Sequence, residues 1–260
     1  MIEAIAARLR EAERTRIPIA AFRDQMGAAD VTQAYAVQRH NAAARLQGGT
    51  SLVGRKIGLT SAAVQRQLKV HQPDCGLLFA DMQVADGGLI ALEQLIQPKI
   101  EAEIAFVMGR DLSRSDLTHQ QVLSAVEYVL PCLEIVDSRI RDWDIGIVDT
   151  VADNASSARF VLGATPRRLL DFDFIHCGMV LRRDGAVSST GAGAACLGNP
   201  IEAVRWLASM LADTQFALRA GDIVLSGALG PMTPLSAGCH YDATIAALGS
   251  VTVNVAGART

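Results

Sequence analysis

The stretch of the sequence that decides the fold reads IEAEIAFV, at residues 100–107. Successive side chains of a β-strand point to opposite faces, so Glu101 and Glu103 would share one face while Ala102 and Ile104 share the other. In a helix the same spacing would place the two carboxylates roughly 200° apart. We therefore predict a strand here, with one apolar face toward the core and one face that carries a pair of acids.

The paired acids Glu101 and Glu103 have two explanations. If their face is half-buried, two like charges a few ångströms apart are unfavourable unless a proton or a cation neutralises them, and a hard divalent cation does so naturally. If the face is solvated, the pair is only a polar strand surface. The pair alone does not separate these explanations.

A third carboxylate, Glu134, lies in the middle of a second apolar run, VLPCLEIV at residues 129–136. Burying a carboxylate without compensation costs several kcal/mol, so Glu134 needs a partner. Arg139 or Arg141 would serve structurally, whereas a cation shared with the strand pair would serve chemically. Three carboxylates without a histidine or thiolate favour Mg²⁺ or Mn²⁺ over zinc or copper.

Three other segments carry groups that suit a substrate site. Lys56 stands in the apolar, glycine-flanked segment LVGRKIGL, residues 52–59, which predicts a strand that aims the ammonium into a cleft; a surface lysine is the alternative. The sequence QPDCG, residues 72–76, is typical of a turn that presents Asp74. Residues 149–156 resemble a polar loop, and loops often bind substrates.

Composition limits the classes of partner. The chain has 260 residues, 50% of them hydrophobic, and a net charge of -3, so it has no basic field for nucleic acid. No apolar run reaches the 18 residues of a membrane span, and charges interrupt the first apolar residues, unlike a secretory signal. We expect a soluble, cytoplasmic protein that binds small molecules. Its five scattered cysteines are expected to be reduced thiols.

Helix and strand signals alternate along the chain and indicate a mixed α and β architecture. We predict a single catalytic domain over residues 1–260, with a helical N-terminal segment at 1–48 and a core at 49–260. Helices are expected at Ile2 to about Thr15, after Asp30, from Thr60 to Leu68, from the capping box at Thr118 toward Val129, and after Asn199-Pro200. Residues 222–229 and 243–255 are rich in strand formers.

Several motifs together resemble one known family, the 2-keto-4-pentenoate hydratases, also called 2-hydroxypenta-2,4-dienoate hydratases. The motifs are GRKIGLT at 54–60, QPD at 72–74, LFADM at 78–82, PKIEAE at 98–103, SRIRDW at 138–143, and the segments 149–156 and 221–232. These enzymes belong to the hydratase and decarboxylase branch of the fumarylacetoacetate hydrolase superfamily. The resemblance implies an α+β fold with a mixed β-roll and N-terminal helices, a homo-oligomer, and a role in meta-cleavage breakdown of aromatic compounds.

The resemblance also assigns roles to residues. It places the metal ligands at Glu101, Glu103 and Glu134, and Lys56, Asp74 and Ser156 in the substrate pocket. The implied reaction adds water to 2-hydroxypenta-2,4-dienoate (2-oxopent-4-enoate) to give 4-hydroxy-2-oxopentanoate, with Mg²⁺ or Mn²⁺ as cofactor. Lys56 and Asp74 are the candidates for proton transfer, and a neighbouring cation would lower the pKa of Lys56 by like-charge repulsion.

Three other functions stay open at this point. A 4-oxalocrotonate decarboxylase would use the same metal-assisted enol chemistry but would need a contact for a second carboxylate. A C–C hydrolase of the wider superfamily would need a His–Glu pair, and none is evident in the N-terminal half. A structural partner of a decarboxylase would bind metal without turnover. A pathway aldolase or decarboxylase is a candidate partner of the hydratase.

Overall fold

The computed structural model of the chain describes residues 1–26, 31–61, 65–66 and 72–257. In these ranges the helices are α1 Ile2–Thr15, α2 Arg23–Met26, α3 Val31–Gln47, α4 His119–Ala125, α5 Ile147–Ala152 and α6 Pro200–Leu211. The strands are β1 Leu52–Gly58, β2 Asp74–Phe79, β3 Gln83–Val84, β4 Leu89–Ile90, β5 Lys99–Met108, β6 Val126–Val136, β7 Ser157–Leu162, β8 Gly178–Arg183, β9 Ala186–Ala192, β10 Ile223–Leu225, β11 Thr233–Pro234, β12 His240–Ile245 and β13 Gly249–Val255.

The centre of the structure is the antiparallel pair β5 and β6. The strand predicted at residues 100–107 is confirmed, and every residue of β5 after Lys99 is buried. Its register sets Glu101 directly opposite Glu134 and Glu103 opposite Cys132. Opposite residues in such a pair have Cβ atoms roughly 4.5–5.5 Å apart, so the pairing of the two strands brings acids from distant parts of the chain together.

Two sheets share one hydrophobic core. The larger sheet has the order β2-β1-β10-β5-β6-β7-β3, with β11 also paired to β5, and the smaller has the order β4-β13-β12-β8-β9. Parallel pairs, such as β1 with β10, occur beside antiparallel ones, which makes the large sheet mixed. The β12–β13 hairpin buries alternate residues such as Tyr241 and Val253 against this core. The predicted mixed β-roll is confirmed.

The N-terminal helices form a second hydrophobic cluster, which includes Leu9, Val37 and Val151. A buried carboxylate holds parts of this cluster together: Asp149 accepts hydrogen bonds from the backbone N–H groups of Phe22, Arg23 and Gly146, and it pairs with the Arg23 guanidinium at 3.0 Å. Three backbone donors and a cation satisfy a buried acid well. No helix in the described ranges is long and apolar enough to cross a membrane.

The helix signals at Ile2, Thr118 and Asn199 are confirmed. The Thr118 hydroxyl accepts from Gln121 N at 3.3 Å, and the Asn199 side chain accepts from Ile201 N at 3.0 Å. The expected extension of α4 to Val129 is wrong, because the chain enters β6 at Val126. Val126, Tyr128 and Val129 are β-branched or aromatic residues, which favour a strand, and all three pair with β5.

Two local predictions are wrong and one cannot be compared. Asp74 is the first residue of β2, so QPDCG does not form a presenting turn there. The stretch 149–156 is not a loop, because Val148 and Val151 pack into the N-terminal cluster as part of α5 and a 3-10 turn follows at Asn154–Ser156. The helix expected from Thr60 to Leu68 falls largely outside the described residues.

Candidate metal centre and active site

Glu101, Glu103 and Glu134 form a buried acidic cluster on one face of the large sheet. One carboxylate oxygen from each lies within 4.8 Å of the others. Glu103 and Glu134 are fully buried, and Glu101 is 8% exposed. The alternation of β5 and its register with β6 produce this convergence, as the sequence predicts for the strand pair.

Several oxygens of the cluster have no hydrogen-bond donor. Glu103 Oε2 accepts from the backbone N–H of Gly227 at 2.8 Å, but Glu103 Oε1 and Glu134 Oε1 have no hydrogen-bond partner, and Glu134 Oε2 has only an ion pair with Lys56 Nζ at 3.3 Å. Buried polar atoms without partners are rare in proteins and call for an explanation. Convergent, unsatisfied carboxylate oxygens are what a hard divalent cation requires, so these residues fit such an ion.

The electrostatics of the cluster agree with its geometry. Burial raises the pKa of Glu101 to about 8, and the neighbouring Glu134 carboxylate adds to the rise. Burial, with repulsion from Glu134 and Glu101, also raises the pKa of Glu103 well above its usual value. A cation would remove both penalties, because it supplies the charge that water supplies at the surface.

Lys56 is buried and faces the cluster, with its Nζ 3.3 Å from Glu134 Oε2. The predicted cleft-facing orientation is confirmed. The arginine alternative for Glu134 is wrong, because Arg139 pairs with Asp153, and Arg141 is exposed whereas Glu134 is fully buried. Burial lowers the pKa of the Lys56 ammonium, but the surrounding carboxylates, led by Glu134 and followed by Asp74, outweigh it and raise that pKa. The lowering expected beside a cation stays a prediction.

Asp74 lies next to Lys56 across the β1–β2 pair. Its Oδ2 accepts from the Thr150 hydroxyl at 3.1 Å, and its Oδ1 has no hydrogen-bond partner. Burial raises the pKa of this carboxyl, and the Lys56 ammonium opposes that rise. Gly58 makes room for the arrangement: a Cβ there would lie 2.2 Å from Asp74 Oδ1 and 3.3 Å from Lys56 Nζ.

Ser156 enters the site from the 3-10 turn Asn154–Ser156, whose residues all have positive φ, at 56°, 51° and 54°. Left-handed backbone is costly for residues other than glycine, so the surroundings must hold it. Asp153 helps to do so: it accepts from the backbone N–H of Arg139 at 3.0 Å and from the Ser156 hydroxyl at 3.4 Å. Ser156 itself is buried.

These groups open onto a cavity of about 110 Å³. It is lined by Lys56, Gly58, Leu59, Thr60, Ser61, Asp74, Glu101, Val136, Trp143, Ile145, Thr150, Ala155, Ser156, Ala228 and Met232. Polar and charged groups of the sheet form one part of the lining, and apolar side chains form another. Lys56 is the one cationic side chain in this lining as far as the structure describes the chain.

Some residues of the cavity were missed by the sequence analysis. The only sequence signal for Thr150 was its position in the polar stretch 149–156. For Trp143 and Met232 the only signal was their position in the family motifs. Conversely, three polar residues of that stretch, Asp149, Asp153 and Asn154, bind backbone or arginine rather than the cavity. A larger cavity of about 300 Å³ lies between α1, α3 and residues 152–157, but the acidic cluster does not reach it.

Comparison with known proteins identifies the family of this chain. The family model of the fumarylacetoacetate (FAA) hydrolase C-terminal region matches residues 39–256. The chain belongs to the fumarylacetoacetate hydrolase family. Within this family it is 55% identical to the TodF product hydratase of Pseudomonas putida, over 94% of this chain and 91% of that protein. It is 53% identical to 2-keto-4-pentenoate hydratase 2 of Dechloromonas aromatica, over 96% and 95%.

A solved structure of the same family superposes closely. The 4-oxalocrotonate decarboxylase from Pseudomonas putida G7, complexed with magnesium and adipate, matches with a TM-score of 0.93 and 33% identity, over 98% of this chain and 97% of that chain. The resemblance to the hydratase branch of the fumarylacetoacetate hydrolase family is therefore confirmed.

The five cysteines are all free thiols, as expected.

Replacing Glu103 with glutamine separates the ligand role of this residue from a structural role. We expect Glu103→Gln to weaken Mn²⁺ binding by at least about tenfold, since even outer-shell changes at metal sites cost 10–100-fold. We expect the metal-free variant to melt no lower than the metal-free wild type, because the substitution removes one charge from a repelling cluster and keeps an acceptor for Gly227 N. Calorimetric titration and thermal melts measure the two effects. A large drop in the metal-free melting temperature would show that Glu103 is a structural ion-pair partner instead.

Proposed function

We propose that this chain is a divalent-metal-dependent hydro-lyase that adds water to 2-hydroxypenta-2,4-dienoate and forms 4-hydroxy-2-oxopentanoate. The observation that carries the proposal is the cavity of about 110 Å³, whose lining combines the carboxylates of Glu101 and Asp74 and one buried ammonium with several apolar side chains. Relatives over 50% identical across nearly the whole chain, which are named as hydratases, support it.

The proposed metal ligands are Glu101, Glu103 and Glu134, with Mg²⁺ or Mn²⁺ as the ion. Their unsatisfied oxygens and the absence of a histidine or thiolate from this cluster support a hard cation. Such an ion supplies Lewis acidity toward a 2-oxo acid and charge stabilisation for its enol form. Glu101 is the ligand that also lines the cavity, so a substrate would approach the centre from its side.

The proposed catalytic residues are Lys56 and Asp74. Both are buried and line the cavity, and the Lys56 ammonium can donate to an oxygen of the substrate while Asp74 can accept a proton or orient water. Thr150 fixes one oxygen of Asp74 and leaves the other, Oδ1, free to make such a contact. Ser156 is a proposed substrate-binding residue, together with Lys56 and Asp74.

The composition of the cavity lining favours the hydratase over the decarboxylase. Val136, Trp143, Ile145 and Met232 would contact the hydrocarbon part of a substrate whose carboxylate lies near Lys56. A 4-oxalocrotonate molecule would bring a second carboxylate, and Lys56 is the only cation among the described lining residues, so that charge would be buried at a cost. Lys99 is not part of this lining; its ammonium stacks on the Trp143 ring at 4.1 Å.

The proposal treats the whole chain as one catalytic domain. The Asp149 contacts with residues 22–23 connect the N-terminal helices to α5, which also carries Thr150. The N-terminal segment therefore supports the site and does not form a separate unit. A homo-oligomer, which the family resemblance implies, belongs to the same proposal and is measured by sedimentation equilibrium.

The assay that tests the proposed function follows freshly generated 2-hydroxypenta-2,4-dienoate with the purified protein and Mg²⁺. We expect loss of the dienol absorbance with formation of 4-hydroxy-2-oxopentanoate, abolition by EDTA, and recovery with Mg²⁺ or Mn²⁺. Carbon dioxide release from 4-oxalocrotonate should be slow under the same conditions. Full activity in protein shown by elemental analysis to be free of metal would contradict the metal role, and faster turnover of 4-oxalocrotonate would favour the decarboxylase.

The role of Lys56 is tested by comparing Lys56→Met and Lys56→Arg at saturating Mg²⁺. Positioned proton transfer contributes about 10²–10⁴-fold, so we expect a fall of that order in kcat for the methionine variant. The arginine variant should recover little if a proton must move, because a guanidinium does not lose its proton in the accessible pH range.

Arg114→Met is the control, because it removes an exposed cation that pairs with Asp116 outside the cavity lining, and it should keep kcat within a few-fold. Mn²⁺ affinity is measured for each variant, since Lys56 also contacts Glu134. Turnover near the wild-type value in Lys56→Met would remove this residue from the chemistry and leave Asp74 as the candidate for proton transfer.

A further inference from the structure

The outer edge of β2 is completed by side chains. Within the described residues β2 is the end strand of the large sheet, and the backbone groups of Cys75 and Leu77 point away from β1. Cys75 N–H donates to the Tyr35 hydroxyl at 3.1 Å, and Cys75 O accepts from Gln38 Nε2 at 2.7 Å. Helix α3 thus satisfies one residue of an edge that would otherwise be unpaired.

Asn154 satisfies the next outward-facing residue. Its Oδ1 accepts from Leu77 N at 2.8 Å, and its Nδ2 donates to Leu77 O at 2.9 Å. The side-chain amide therefore makes the two hydrogen bonds that a neighbouring strand would make. Asparagine suits this position twice, because it offers both a donor and an acceptor and tolerates the left-handed backbone that the turn requires.

The turn that contains Asn154 is packed directly against the strand. A Cβ at Gly76 would lie 2.6 Å from the Asn154 carbonyl oxygen, 3.1 Å from Lys56 Cγ and 3.3 Å from Ala155 Cβ. Gly76 is also the register partner of Lys56. No spare room therefore remains between the turn, the backbone of Gly76 and the aliphatic stem of Lys56. A shift of the turn would displace residues that line the cavity.

We propose that Asn154 is a positioning residue, which locks the left-handed turn to β2 and so fixes Ser156 opposite Asp74 and Lys56. Asn154 does not line the cavity, whereas Ala155 and Ser156 after it do, and Asp74 lies three residues before Leu77 on the same strand. The two hydrogen bonds with Leu77 thus connect the walls that carry the proposed substrate-binding groups. This inference rests on the proposed function for its meaning in catalysis.

A graded series at this position tests the proposal. Asn154→Gly keeps the left-handed backbone but removes both hydrogen bonds, and Asn154→Asp keeps an acceptor for Leu77 N and loses the donor to Leu77 O. We expect kcat for dienoate hydration to fall at least about tenfold in the glycine variant, since misplacement by about 1 Å can cost 10²-fold. The aspartate variant should lie between glycine and wild type, and Mn²⁺ affinity should be unchanged in both.

The matched control is Thr118→Ala, which removes a side-chain hydrogen bond to the backbone at the start of α4, outside the cavity lining. It should lower the melting temperature but keep kcat. The positioning role is overturned if kcat falls by less than about tenfold in the folded glycine variant and by less than about twofold in the folded aspartate variant, relative to wild type. It is also overturned if the Mn²⁺ affinity of these variants falls in parallel with kcat.

A second measurement keeps this inference separate from the proposed function. The affinity of Mn²⁺-loaded protein for 2-oxopentanoate, a saturated 2-oxo acid, is measured by calorimetry for wild type and the Asn154 variants. If the wild type binds this acid but does not hydrate the dienoate, the proposed reaction fails while the inference is still decided: weaker binding in Asn154→Gly by about tenfold supports it. Equal binding in all variants overturns it.

Discussion

The constraint on which the structure depends is the burial of three carboxylates on one face of a sheet. The register of β5 with β6 sets Glu101 against Glu134, and the period of β5 adds Glu103 on the same side. Repulsion and lost hydration oppose this arrangement, as the raised pKa of Glu101, about 8, indicates. A fold that keeps such a cluster must hold its strands firmly elsewhere. The shared core of the two sheets provides that rigidity.

Bare backbone next to the acids completes the arrangement. Gly58 admits the Asp74 carboxylate, and Gly76 admits both the stem of Lys56 and the turn that carries Ser156. A side chain at either position would push a charged group out of place. The ammonium of Lys56 can therefore lie 3.3 Å from Glu134 while it still faces the cavity. Two glycines of the β1–β2 pair thus determine how closely charges of opposite sign approach.

Much of this site could be predicted from the sequence, and the failures have physical causes. The apolar run around Glu134 is a local pattern and predicted a buried acid correctly. The alternation around Glu101 predicted correctly that Glu101 and Glu103 share a face, but it left open whether that face is buried. The arginine alternative for Glu134 was open because sequence does not say that Arg139 would find Asp153, 14 residues away. Asp74 was predicted on a turn because Pro73 is a turn former, whereas pairing with β1 extends the strand to that residue. Contacts between distant segments decided both cases.

The polar and the apolar residues of the cavity lining limit its chemistry in different ways. The polar groups of Glu101, Asp74 and Lys56 suit any small 2-oxo acid, so they do not distinguish the reactions of this family. The apolar side chains distinguish them, because Ile145 and Met232 can accept a hydrocarbon end but cannot stabilise a buried charge. Selectivity for a substrate with one carboxylate would therefore arise because these apolar side chains leave a second carboxylate without a partner. A hydratase and a decarboxylase can then share the buried acids and the buried lysine and still differ in substrate. The difference lies in the apolar lining residues, which do not compensate the cost of desolvating one extra carboxylate.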